Sequence, residues 1–450
     1  MEFLEEFDQI ISLWSDGDLN GAIYNSTNEH LFELAETLAL SSRYHFKPTG
    51  KPNSNFSFVA NSSLSGGRHP CAEATCRIKK LNELVSFASL YSDEVHIQNP
   101  FEEIFLSGPE NLNEASRQEM MYGIYNYFYL RPLIESGIIK YAQNMVSLCS
   151  HHSETLAKPL SEKIERKEKK LYDLLEEQLI EKCSIYFDIK EDGTQTLKIE
   201  GPDGLIDHGV RYFHFYDSTP DFITRLSKKS LPYKFTKKEI LDEGILGVII
   251  FPIIKDLSNQ EWHSAFYGTS YLCDNSTQIN IASKLNNSAY LASSSAFNNA
   301  MNHTLPSVYG KDIRSIVDLR EKEGEAFSVY RDKVHKLLKT TDKWTESEVS
   351  EIFRDEIAPE INLIDKKIKD WKVKSKESLK ESLKEKLIFG SGAVSIGLYA
   401  GMLPPNIGAV VAAIGGGSAV VGAAMDYNKT LKEKTEARSN DFYFLWQASK

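Results

Sequence analysis

The sequence lacks most of what would name a chemistry outright. "SGGRHP" fits neither the Walker loop nor the dinucleotide glycine pattern, and "YGTSY" around Ser270 is not the serine-hydrolase elbow. Cysteine is scarce: Cys71, Cys76, Cys149, Cys183 and Cys273 make an odd count of 5 in 450 residues. That argues against a disulfide framework and for a reducing compartment. Positive charge is in deficit, with 52 Lys and Arg against 63 Asp and Glu, a net charge of −11. A general nucleic-acid binder needs a basic face for phosphate, so nucleic acid is not an expected partner, although a local basic patch stays open. The start, "MEFLEEFDQIISLW", has Glu2, Glu5, Glu6 and Asp8 where an export signal would be basic, so the expected compartment is the cytoplasm.

Apolar material, by contrast, is ample. Hydrophobic residues make up 41%, with 23 Phe and 21 Tyr, enough for the cores of two or three domains. Residues 1–150 read as a mostly helical N-terminal domain. Phe3, Leu4, Phe7, Ile10, Ile11, Leu13 and Trp14 form one stripe at helical spacing, and Leu81, Leu84, Val85, Ala88 and Leu90 form another. Lys47–Gly67 between them, rich in Pro, Gly, Asn and Ser, reads as a long loop. Asp93–Ile97 suggests a short buried strand, and Gly137 stops a helix ahead of a second strand.

Residues 151–312 read as a mixed α/β domain. A charged amphipathic helix at Ser161–Cys183 precedes a β-hairpin at 184–199 that turns on Glu191, Asp192 and Gly193. The apolar run Leu246–Ile254 is too short to cross a bilayer and reads as a buried strand. Residues 313–386 form a charged helical connector. The expected fold class is mainly α with a central α/β portion and a C-terminal glycine-rich helical hairpin.

That hairpin is the most distinctive feature. Leu387–Met425 runs 39 residues without a charge in a chain that is 26% charged. Pro404 and Pro405 divide it into two arms, because proline cannot continue a helix. Gly390, Gly397 and Gly401 mark the first arm, and Gly408, Gly415 and Gly422 the second, at steps of four and seven. Such a stripe lets helix backbones approach closely, which is how helices associate in lipid. The arms, roughly 25 and 28 Å long at 1.5 Å per residue, fall just short of a bilayer core of about 30 Å. Lysines flank both ends, and the tail at 426–450 carries Phe442, Tyr443, Phe444 and Trp446, residue types that settle at the headgroup level.

Two groups of side chains could carry chemistry. His69, Cys71 and Cys76, together with Cys149 and His152, are of the types that bind zinc, but the Cys-x4-Cys spacing is looser than the usual pair. A helix start with Cys71 and Cys76 as small apolar residues explains them as well. Asp203, Asp207, His208 and His214 gather beside the hairpin and could serve acid–base or metal-assisted work, without a known spacing.

The combined expectation is a membrane-associating effector or sensor of a bacterium, of the stress or anti-phage defence type. It would be cytoplasmic, peripheral to or inserted in the inner membrane, and would self-associate through the hairpin after a protein trigger or other signal. No cofactor is expected, with zinc the one candidate, and the balance is against an enzyme. The alternatives are a soluble metal-dependent hydrolase and an oligomeric scaffold with a buried hairpin.

Overall fold

The computed structural model describes residues 3–46, 56–69, 71–143, 148–202, 206, 209–215, 225, 229–274, 313–339 and 359. They are mostly helical with a small α/β sheet portion. They fall into two compact units, residues 3–143 with 263–274 and 313–339, and residues 148–262.

The first unit opens with three helices, α1 (Phe3–Ser15), α2 (Leu19–Asn25) and α3 (Asn28–His45). Asp18 and Thr27 cap the second and third by accepting from Gly21 N and His30 N. A parallel sheet follows, made of β1 (Ser57–Ala60), β2 (Glu94–Ile97), β3 (Ile139–Tyr141) and a strand late in the chain, Ser270–Leu272, called β8 below. Its order is β3-β2-β1-β8 with every neighbour parallel. The crossovers are α4 (Ala74–Tyr91), and α5 (Pro100–Ser107) with α6 (Glu114–Glu135).

Local signals explain these boundaries. Asn99 accepts from Phe101 N and Glu102 N, with Pro100 at the first position of α5. Asn113 and Ser116 form a capping box on α6. That helix ends in a Schellman pattern, with Gly137 at φ +74 and Ile138 N donating to Leu133 O at 2.9 Å. Alternation along the strands then sorts the two faces of the sheet. Phe58, Ala60, Val95, Ile97, Ile139, Tyr141 and Leu272 join the apolar core. Ser57, Glu94, His96 and Lys140 occupy alternate positions on β1, β2 and β3.

The strand β1 corrects one expectation: it lies inside the stretch read as a loop, because its four residues are bounded by turn-forming neighbours and give no long periodic signal. The short strand at 94–97 and the helix-stop-strand at Gly137 are as the sequence suggests.

The second unit begins with a one-turn helix, α7 (Ser150–His152), and α8 (Lys158–Lys182). A four-stranded antiparallel sheet follows, β4 (Ser184–Ile189), β5 (Gln195–Glu200), β6 (Val210–Phe215) and β7 (Tyr233–Lys234), in the order β6-β5-β4-β7. The expected hairpin at 184–199 is β4 and β5, with Gly193 at φ +83 in its turn. After it come α9 (Lys237–Asp242), capped by Thr236 and Glu239, and α10 (Gly247–Tyr267), whose residues from His263 on belong to the first unit.

That last helix overturns the strand expected at Leu246–Ile254. Ile249, Ile250, Ile253, Ile254 and Leu257 are buried, while Val248 and Phe251 are exposed, which is helical and not alternating spacing. A short apolar run cannot tell the two apart, and its continuation to Tyr267 decides for a helix. The described part of the connector forms α11 (Ile313–Lys322) and α12 (Gly324–Lys339), which pack on α4 and α6 in the first unit. Among the described residues no helix is long and apolar enough to cross a membrane.

Candidate functional site

In a parallel sheet of order β3-β2-β1-β8, the chain leaves β1 for one side and reaches β8 on the other. Ligands of open α/β sheets bind outside the carboxyl ends of the strands where the order reverses, here between β1 and β8. Asn61 follows β1, and Cys273 and Asp274 follow β8. Asn61 N donates to Leu272 O at 2.9 Å, extending the pairing by one residue and bringing the two strand ends together.

Asp274 is the centre of the cluster there. Asn61 Nδ2 donates to its Oδ1 at 2.8 Å, Ser63 Oγ to its Oδ2 at 2.8 Å, and Lys80 Nζ reaches Oδ2 at 2.9 Å. Lys80 also holds Glu83 Oε2 at 3.1 Å, one helical turn along α4. The side chains are 5%, 32% and 12% exposed for Asp274, Lys80 and Glu83, so the ion pairs are largely withdrawn from solvent.

Electrostatics separates the two carboxylates. Burial works to raise Asp274, but Lys80 and the donors Asn61 and Ser63 outweigh it and hold it below the usual range. Burial pushes Glu83 up, outweighing Lys80. Lys80 is held above the ordinary lysine range, since the two carboxylates overcome its own desolvation. Two carboxyl groups pushed in opposite directions on one ammonium are the kind of perturbed set found at functional sites.

The loop that positions Ser63 is wound on itself. Leu64 N donates to Asn61 Oδ1 at 3.1 Å, Gly66 N to Ser63 O at 3.0 Å and Gly67 N to Ser62 O at 2.7 Å. Gly66 sits at φ +76, where a Cβ would come within 2.6 Å of Asn126 Nδ2 and 3.0 Å of Leu81, so a larger residue is strained there. Arg77 locks the loop from α4, donating to Gly66 O at 2.8 Å while pairing Glu119 through two bonds of 2.9 and 2.8 Å. The glycine N–H groups of "SGGRHP" are thus used inside the loop.

The carboxyl edge continues toward β2 and β3. Gln98 N donates to Ser65 Oγ at 3.1 Å, and Gln143 N to Tyr267 OH at 3.0 Å. The Tyr267 ring lies 4.2 Å from that of His96. Burial drives His96 below its ordinary value and His263 down to about 4. Asn99 Nδ2, His96 Nδ1 and Gln143 Oε1 are buried and have no hydrogen-bond partner among the described residues. On the sheet below, Glu94 is bonded by Ser57 and Lys140. Burial opposes its ionisation, yet His96, Lys140 and Ser57 together hold its carboxyl well below the usual range.

The residues singled out from sequence are placed as follows. Cys71 and Cys76 are exposed, and the neighbouring Cys71 thiol, with burial, raises the Cys76 thiol. His69 lies before them and is half-buried. Cys149 Sγ and His152 Nδ1 are 3.3 Å apart on the surface of the second unit. Among the described residues no three His, Cys, Asp or Glu side chains gather so as to hold a metal. His214 bonds Thr196 Oγ1 at 3.0 Å. Asp203, Asp207 and His208, the hairpin with Gly390, Gly397, Gly401, Pro404, Pro405, Gly408, Gly415 and Gly422, and the tail with Phe442, Tyr443, Phe444 and Trp446 lie outside the described residues.

Fold and site thus define an α/β unit with a polar cluster at the reversal point of a parallel sheet. The sequence matches no protein-family profile, no curated protein and no solved structure.

Proposed function

We propose that the chain is a ligand-responsive, membrane-associating effector. Its first unit takes a polar small molecule at the β1/β8 crevice, and its glycine-rich hairpin at 387–425 acts on the membrane by self-association. The observation that carries this reading is the position of α4. One part of that helix supplies Lys80 and Glu83 to the crevice. Its carboxyl end is held by the connector: Arg320 donates to the carbonyls of Ala88 at 2.9 Å, of Ser89 at 3.4 Å and of Ser92, and Arg331 pairs with Asp93.

Arg320 also stacks 4.1 Å over Phe327, and Arg331 4.3 Å over Phe56. About twelve residues separate Lys80 from Ser92, roughly 18 Å of rigid helix. A ligand that moves Lys80 therefore bears on the helices that lead to the hairpin.

The crevice chemistry narrows the ligand. Lys80 against Asp274 and Glu83 leaves the cluster one negative charge in excess, and the loop amides are already used. A molecule offering hydroxyl or amine donors suits it better than a bare phosphate. Asn99, His96 and Gln143 supply further buried polar atoms along the same edge.

The function belongs to the inner membrane and to a bacterial defence or stress response in this reading, because a marginally apolar hairpin behind a large recognition region suits a triggered, membrane-perturbing protein. The test is expression of the full-length chain in cells carrying a potential-sensitive dye, beside a chain cut after Lys386. The proposal requires depolarisation with the first and none with the second. Unchanged polarisation with the full-length chain at high expression refutes it.

A further inference from the structure

The carboxyl edge of the parallel sheet carries two groups of polar side chains. At the β1/β8 end, Lys80 Nζ holds both Asp274 Oδ2 at 2.9 Å and Glu83 Oε2 at 3.1 Å, two carboxyl groups on one ammonium. Asn61 and Ser63 complete the bonding of Asp274. A second cation set beside Glu83 balances the charge of the pair.

The other group lies past the ends of β2 and β3. Ile97 and Tyr141 stand opposite each other, and Ala142 N donates to Ile97 O at 2.7 Å. Asn99 and Gln143 each follow that pair by two residues, which makes them neighbours on adjoining parallel strand ends. Both are 1% exposed. Asn99 Oδ1 accepts from Phe101 N at 3.1 Å and Glu102 N at 3.4 Å, so its unused atom is the donor Nδ2. Gln143 Nε2 donates to Tyr141 O at 3.3 Å, so its unused atom is the acceptor Oε1. His96, 4% exposed, has Nε2 3.7 Å from Glu94 Oε1, which draws the ring proton there and makes Nδ1 an acceptor. Its ring lies 4.2 Å from that of Tyr267, whose hydroxyl accepts from Gln143 N at 3.0 Å. Nδ2, Oε1 and Nδ1 have no partner among the described residues. Buried polar groups are otherwise almost always bonded, so one donor and two acceptors gathered here point to a ligand. A primary carboxamide is their complement, with one acceptor and two donors.

Neighbouring strands run about 4.8 Å apart, and the first group lies between β8 and β1, the second between β2 and β3. The two are therefore roughly 10 Å from each other along the edge. On the strength of the crevice as a ligand site, proposed above, we infer the class of its ligand. It is an elongated molecule with a primary ammonium set on Glu83 and Asp274, and a primary carboxamide roughly 10 Å away set on Asn99, Gln143 and His96.

The probe is triglycinamide, whose three residues, at about 3.4 Å each when extended, place amine and carboxamide at that separation. Calorimetric titration of the purified full-length chain in detergent compares it with two relatives. N-acetyl-triglycinamide lacks the ammonium, and triglycine has a carboxylate in place of the carboxamide. Triglycinamide is expected to bind about tenfold tighter than either, or more. Glu83→Gln is expected to erase the difference from the acetylated form. Asn99→Ser keeps a helix-capping oxygen and removes the donor, and is expected to erase the difference from triglycine. Protection of α4 amides shows that both variants are folded. Equal binding of the acetylated amide, or of triglycine, to the wild type overturns the inference and leaves a polar ligand at the crevice standing. Absence of triglycinamide binding overturns the inference as well. Tight binding that survives both substitutions overturns it together with the crevice reading, because the molecule then sits elsewhere.

Discussion

Replacing Lys80 by Met removes the only cation that the described structure sets against Asp274. Asp274 keeps the bonds from Asn61 and Ser63, each 2.8 Å, but its 5%-exposed carboxylate loses its counter-charge. Stranding one partner of a buried pair costs 3–5 kcal/mol in general, and the two remaining donors bring the expected loss to about 3 kcal/mol. The sign with pH follows from Asp274. In the wild type its carboxyl is depressed, so its contribution is present above the unfolded value and is lost as pH falls through the folded one. In the variant burial dominates and the folded value rises. Protonation then relieves the stranded charge, and the deficit shrinks from pH 7 toward pH 5. Hydrogen exchange of α4 amides that open with the unit reports this directly: about 3 kcal/mol is roughly a 150-fold faster exchange at pH 7. Exchange within threefold of wild type, or a deficit that grows on acidification, refutes the assignment of Lys80 as the counter-charge.

Three further outcomes follow from the same structure. His263, 1% exposed and driven to about 4 by burial, stays neutral in the folded state while the unfolded state takes up a proton below about 6.5. Stability is therefore complete above that range and falls by roughly 3 kcal/mol as pH drops to 4, and His263→Gln flattens that slope in urea titrations at several pH values. Gly66→Ala, at φ +76 with its new carbon 2.6 Å from Asn126 Nδ2, costs about 2–3 kcal/mol, whereas Gly193→Ala, at φ +83 in open space, costs about 1 kcal/mol, as thermal melts of the two variants will compare. Arg320→Met strips the donors from the carbonyls of Ala88, Ser89 and Ser92 and costs about 2 kcal/mol, seen as faster exchange confined at first to the carboxyl end of α4.

Helices were the legible part of this sequence. Phe7 and Ile11 of α1, and Leu171, Leu175 and Leu179 of α8, repeat at the spacing that burial of one face requires. The hairpin at 184–200 was legible because alternation and a turn at Gly193 reinforce each other. The parallel sheet was not, since its strands are three or four residues long and pair across distant crossovers. The crevice inherits that difficulty. Asn61 and Ser63 sit in a Ser/Gly-rich stretch between a short apolar run and a helix, a βα-turn signal that could have been read. Asp274 lies more than two hundred residues further on, and only the pairing of β1 with β8 brings it to Asn61. The thiols of Cys71 and Cys76 were noticed as ligand types, and both are exposed beside Glu73, the cap of α4.

The central claim is that residues beyond Lys386 carry this chain to the membrane. Fractionation of cells expressing the full-length chain and one ending at Lys386 measures it most directly. The account predicts full-length protein in the membrane pellet and the shortened chain in the supernatant, folded as judged by protection of α4 amides. Full-length protein that stays in the supernatant, or a shortened chain that pellets with the membranes as well, contradicts it.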